Sequence, residues 1–147
     1  YRTEPGGGIK LANPRLLDML GYSSFEEIIG VNAESLFPDG RAGRQRLLGK
    51  VEESGGELRG HVFRLKTRGG GEVTVRGNVR SMRGGSGETL GYEGAIDDIS
   101  DQMKADQILR TMQRAMEASL DGILITDPRS EHNPVIYCNP AFLRITG

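Results

Sequence analysis

Apolar and polar positions alternate most cleanly from Glu72 to Arg80, where Val73, Val75, Gly77 and Val79 interleave with Glu72, Thr74, Arg76, Asn78 and Arg80. A period of two predicts a strand with one covered face. Leu58 to Thr67 reads as the strand before it, with His61, Phe63 and Leu65 on one side and Arg68-Gly69-Gly70-Gly71 as the turn between. After Arg83-Gly84-Gly85-Ser86-Gly87 a third strand is predicted from about Thr89 to Asp98, placing Leu90, Tyr92, Gly94 and Ile96 together. The three form an antiparallel meander, one face buried and the other charged.

Upstream, the apolar spacing lengthens to that of short helices. Asn13 caps and Pro14 opens one in which Leu16, Leu17 and Leu20 share a face before Gly21. Phe25, Ile28 and Ile29 mark a second between Ser23-Ser24 and Gly30, and Ala33 to Phe37 a further turn broken by Pro38-Asp39-Gly40. From Arg41 to Ser54 a longer helix carries Leu47, Leu48 and Val51 as a narrow apolar edge, with Arg41, Arg44, Arg46 and Lys50 on what reads as a solvated basic face. Tyr1-Arg2-Thr3 and Ile9-Lys10-Leu11 flank Glu4-Pro5-Gly6-Gly7-Gly8 as a hairpin. That glycine run lacks the Lys-Ser/Thr and the following helix of a phosphate-binding loop.

Asp98-Ile99-Ser100-Asp101 leads into a helix predicted from Gln102 to Ser119, and beyond it the chain starts again. Asn13-Pro14-x-Leu16-Leu17, closing at Gly21, returns as Asn139-Pro140-x-Phe142-Leu143, closing at Gly147, a constant offset of 126. Thr3-Glu4-Pro5 returns as Thr126-Asp127-Pro128 at an offset of 123, the second turn being three residues longer. The expected organisation is a module over residues 1–100, a helical linker over 101–120 and the truncated start of a second module over 121–147. That second copy has too little chain to close a core of its own. In the linker, Ala105, Leu109, Met112, Met116 and Ser119 step by three or four, so Leu109, Met112 and Met116 are the expected dimer seam. The helix is too short to make a stable coiled coil alone.

Together these pieces resemble a PAS domain followed by the start of another. The resemblance rests on Asn13-Pro14 through Gly21-Tyr22-Ser23, Phe25 to Gly30, Leu36-Phe37-Pro38, the Phe63 to Val75 hairpin, and Gly91-Tyr92-Glu93-Gly94 through Ile96 to Asp98-Ile99-Ser100. It implies an α+β fold: a five-stranded antiparallel sheet with small helices on one face, followed by an exit helix. It also implies a sensory or dimerisation module of a larger signalling protein, with an output domain such as a histidine kinase or cyclic-dinucleotide enzyme on the same polypeptide. Asp98, Ile99 and Ser100 are then the expected relay between sheet and helix, and His61, Phe63, Val75 and Tyr92 the expected pocket lining. Flavin- and haem-binding relatives place a reactive Cys or ligand His on the helix that corresponds to Arg41 to Ser54. This helix has neither, so covalent flavin and haem are disfavoured and no cofactor is predicted, while a flavin held without a covalent Cys and a small ligand of unknown type stay open.

Composition adds limits. The 147 residues carry a net charge of −1, which argues against nucleic acid or a membrane as generic partner, although Arg41 to Arg83 is basic and Gly84 to Gly147 acidic. Cys138 is the single cysteine, so no internal disulfide is possible and a reducing, cytoplasmic location is expected, with a membrane-anchored parent left open. Of the candidate catalytic groups, His61, His132 and Cys138 form neither a triad nor a metal-binding spacing, which predicts no enzyme activity. His61 has two readings: a carboxylate-binding or pH-reporting group beside a cavity, or an edge-of-core histidine bonded to backbone.

Overall fold

A computed structural model describes all 147 residues and divides them into two compact units, Tyr1–Ser100 and Asp101–Gly147. The first is a five-stranded antiparallel sheet built from β1 (Arg2–Thr3), β2 (Ile9–Leu11), β3 (Glu57–Lys66), β4 (Glu72–Arg83) and β5 (Thr89–Asp98) in the spatial order β2-β1-β5-β4-β3. Helices α1 (Pro14–Leu20), α2 (Phe25–Ile28) and α3 (Arg41–Glu53), with a 3₁₀ turn at Ala33–Leu36, lie between β2 and β3 in the chain. Their apolar residues Leu16, Leu17, Leu20, Ile28, Leu36, Phe37, Leu47 and Val51 form one core with Ile9 and the inward residues Leu65, Val75 and Val79. The fold is the α+β arrangement expected.

Local chemistry explains the element ends. The Asn13 side chain accepts the Leu16 N–H at 3.0 Å, Pro14 occupies the first turn, and Gly21 ends α1 at φ 78°. The glycine run between β1 and β2 is a hairpin turn, with Gly7 N–H donating to Glu4 O at 3.0 Å and Glu4 N–H to Gly8 O at 2.9 Å.

Two bulges break the simple alternation. Between Leu58 and His61 the β3–β4 register shifts, with Gly60 at φ 63°, so Leu58 returns to the inner face and packs on the core instead of falling opposite His61. Between Met82 and Arg83, which pair with Gly91 and Thr89, Leu90 is the extra residue of β5. Leu90 is 54% exposed and does not lie on the buried side of the strand with Tyr92, where counting by twos places it.

The second unit holds α4 (Ser100–Ala118, whose first residue ends the first unit), β6 (Leu124–Thr126), β7 (Val135–Cys138) and α5 (Pro140–Thr146). It repeats the opening of the first unit in detail. Thr126 pairs with Val135 and Ile125 with Tyr137, with a register shift between Ile125 and Thr126, where the first unit pairs Thr3 with Ile9 and Arg2 with Leu11 around a shift between Arg2 and Thr3. The turn-closing bond recurs as Asp127 N–H to Pro134 O at 3.0 Å. Asn139 takes φ −84° and ψ 165° against −85° and 162° for Asn13, and its side chain likewise accepts the N–H three residues on, that of Phe142. In this unit only Asn139 and Ala141 are buried. No helix of the structure is long and apolar enough to cross a membrane.

Candidate functional site

Between the inner face of the sheet and the helices lies a cavity of about 50 Å³, walled by Leu16, Leu20, Leu36, Phe37, Leu47, Phe63, Leu65 and Ile96 among others. Its polar groups are few: Arg44, Tyr1, Tyr92 and Thr3. Gly77 shapes the sheet wall, since a Cβ there would stand 2.8 Å from Phe63 Cε1 and 3.0 Å from Ile96 Cγ2. Phe63 stacks on Phe37 with ring centroids 5.9 Å apart.

Arg44 corrects the reading of α3 as carrying a wholly solvated basic face. It is 6% exposed, and its Nη2 donates to Glu4 O at 3.3 Å and Pro5 O at 3.1 Å, clamping the β1–β2 turn from across the core. Its guanidinium carbon sits 5.9 Å from the Tyr92 ring centroid. It forms no salt bridge, and the long guanidinium stem makes it easy to mistake for a surface residue in a helix with three further cations. Burial pulls its pKa down, against the opposing pull of Glu34, Tyr92 and Tyr1. Burial pushes the Tyr1 phenol up to about 12, against the nearby Arg44 charge, so it is a protonated donor at neutral pH. The Tyr92 hydroxyl donates to Glu52 Oε1 at 3.3 Å.

Of the four residues expected to line a pocket, Phe63 and Tyr92 stand on the cavity wall; His61 and Val75 do not. Val75 is fully buried in the core. His61 stacks beside Phe63 at 6.3 Å between centroids and lines a separate groove with Phe37, Arg46, Lys50 and Arg64. Its Nε2 is 3.4 Å from Lys50 Nζ, a side-chain partner where a backbone one had been the alternative reading. Desolvation first, and then the Lys50 charge, pull its pKa below the ordinary imidazole value. His132 lies in the loop between β6 and β7 and Cys138 at the end of β7; no group of three or more metal-ligating side chains is gathered anywhere.

The end of the sheet is stitched to the start of α4 by three adjacent residues. Asp98 Oδ1 accepts the Ser100 N–H at 2.8 Å, an acidic cap on the first turn. Ile99 is 7% exposed and donates its N–H to Thr74 O at 2.9 Å, while Ser100 Oγ accepts the Thr74 N–H at 3.0 Å. The helix therefore begins two residues earlier than its apolar spacing predicts. Along it Leu109 and Met112 are exposed, and Met116 is half-buried.

The model of the family described as "PAS fold" matches residues 3–99, and a second, described as "PAS domain", matches residues 109–147. No curated protein matches at a significant level. Among solved structures, an RNA-binding light-oxygen-voltage receptor superposes with TM-score 0.60 at 20% identity, over 77% of this chain and 33% of its own. The chain thus spans about a third of that receptor. The PAS domain of a protein from Colwellia psychrerythraea gives 0.59 at 21% identity, over 68% of this chain and 84% of its own. A sensory box histidine kinase/response regulator from Burkholderia thailandensis gives 0.59 at 23% identity, over 78% and 86%. At identities this low these superpositions show a common fold alone.

Proposed function

The chain belongs to the PAS family, whose domains are in general sensory modules of signal transduction without catalytic activity, and on that premise we propose a specific relay. Residues 1–100 are the sensor, 101–120 the transmitting helix and 121–147 the opening of a second PAS module, with a histidine kinase or cyclic-dinucleotide enzyme as output on the same polypeptide. A small ligand is sensed in the core cavity. The observation that carries this reading is the continuity of β5: Tyr92 and Ile96 stand on the cavity wall, and the same strand ends at Asp98, followed at once by the anchored Ile99. Any change in cavity packing reaches the first turn of α4 within a few residues, through Thr74 on the neighbouring strand.

A flavin or haem does not fit this site. A cavity of about 50 Å³ is far below the roughly 300–1,000 Å³ of sites for larger ligands, and Arg44 and Phe37 stand in the space. The working form is a homodimer paired along Leu109, Met112 and Met116, which biases the output by a population shift of a two-state assembly.

The small cavity also favours a second reading, a ligand-free dimerisation scaffold. Hydrogen exchange separates them. In the sensor, a ligand slows exchange at Ile99 and Ser100 and dimers persist when the cavity is filled by Leu20→Phe. An empty protein under native mass spectrometry, with exchange unaltered by any small molecule, sinks the sensor and leaves the scaffold.

A further inference from the structure

We infer that the cavity takes a small organic anion, a carboxylate of short apolar tail, with Arg44 as its counter-charge. This rests on the ligand-sensing reading above and names the class of ligand. Arginine is almost never buried unless paired, yet Arg44 is 6% exposed and has no carboxylate within salt-bridge distance. Its protein partners are two carbonyl oxygens, both reached from Nη2, so its Nε and Nη1 donate to no protein group. The one carboxylate that influences it, Glu34, pairs with Arg41 at 3.9 Å.

The remaining polar groups on the wall point the same way. Tyr1, whose burial keeps its phenol protonated, lines the same cavity. The rest of the wall is almost wholly apolar, built from Leu16, Leu20, Leu36 and Leu47, which offer nothing to a polar ligand. A site with one cation that lacks a carboxylate partner and otherwise aliphatic walls is complementary to a small carboxylate with an apolar end. A neutral amide or alcohol of equal shape leaves the charge uncompensated.

Size narrows the class. A cavity of about 50 Å³ holds roughly four water-sized positions, and one of about 150 Å³ is needed for benzene. The ligand is therefore of the order of formate to acetate, not an aromatic acid or a longer fatty acid.

The test is a calorimetric and ¹⁵N NMR titration of the full chain with sodium formate and acetate, against formamide and acetamide as neutral shape-matched probes and sodium chloride at equal ionic strength. Saturable carboxylate binding is expected, weaker by about tenfold or more for the amides and for Arg44→Met, as loss of one charge-assisted interaction implies. Arg44→Lys should retain part of the affinity. Should Arg44→Met fail to fold, the Arg44 guanidinium N–H signals of the unmodified protein serve instead, and they should move with the titration. Equal binding of acid and amide removes the anion assignment while leaving a ligand sensor; so does chloride competing as well as acetate. Absence of any binding, or unmoved Arg44 signals at saturation, overturns the inference. Carboxylate binding with no change in exchange at Ile99 and Ser100 keeps the anion site and sinks the relay instead.

Discussion

Asn13 and Asn139 are the same residue in the same local shape, and their surroundings make them differ in weight. Asn13 is exposed and contributes a helix cap, so Asn13→Ala should cost about 1 kcal/mol. Asn139 is fully buried and uses its whole hydrogen-bonding capacity: Oδ1 accepts from Ile123 N at 2.8 Å and Phe142 N at 2.9 Å, while Nδ2 donates to Met116 O at 2.9 Å and Asp121 O at 3.0 Å. Asn139→Ala strips partners from the end of α4, the strand entry and α5 together, and each buried group left unpaired costs about 1–3 kcal/mol. Hydrogen exchange at Ile123 and Phe142 should accelerate far more than at Leu16 in Asn13→Ala; equal effects would refute the distinction. His61 supplies the pH dependence. Its folded pKa lies below the ordinary 6.5 because burial and Lys50 oppose protonation, so the neutral ring favours the fold. That stability is present above pH 6.5 and is lost as pH falls through the lowered folded value. An NMR titration should place the His61 midpoint below 6.5, and His61→Gln should flatten stability over the same range; a solvent-like midpoint refutes it.

At the scale of elements, the junction of β5 and α4 is a small set of bonds on a single apolar anchor. Ile99→Ala removes a buried side chain and should cost about 2–5 kcal/mol, the usual range for such truncations. Asp98→Ala removes only the cap, about 1 kcal/mol, yet should raise exchange across Ser100 to Gln107. Unchanged exchange there would show that the cap plays no part in the coupling. On the sheet, Gly77→Ala forces Phe63 and Ile96 away from a Cβ they cannot accept, with a cost of about 1–3 kcal/mol for overpacking. Because both side chains face the cavity, the same variant should weaken any ligand the cavity holds.

Across the whole molecule, the repeat shows how much of this fold is encoded locally. The strand pairing, its register shift, the turn-closing bond and the asparagine-capped helix recur in the second unit although Leu143 and Ile145 are exposed there, while their counterparts Leu17 and Met19 are buried or half-buried in the first. The second unit offers no core to impose that shape. For association, Leu109→Glu with Met112→Glu should convert dimers to monomers in sedimentation without altering the melting of residues 1–100. Monomeric unmodified protein at micromolar concentration would remove the seam.

Neighbouring residues were enough to determine the helix caps, the hairpin turn, the meander of β3 to β5 and the duplication, because caps, turns and alternation depend on side chains a few positions apart. Folding in three dimensions decided that Arg44 lies inside, that Leu58 turns inward and Leu90 outward at bulges, that His61 and Val75 stand away from the cavity, and that Asn139 is sealed where Asn13 is not. Each of these depends on which distant backbone groups are left needing a partner and how tightly distant side chains fill the space between sheet and helices, and no local spacing carries that information.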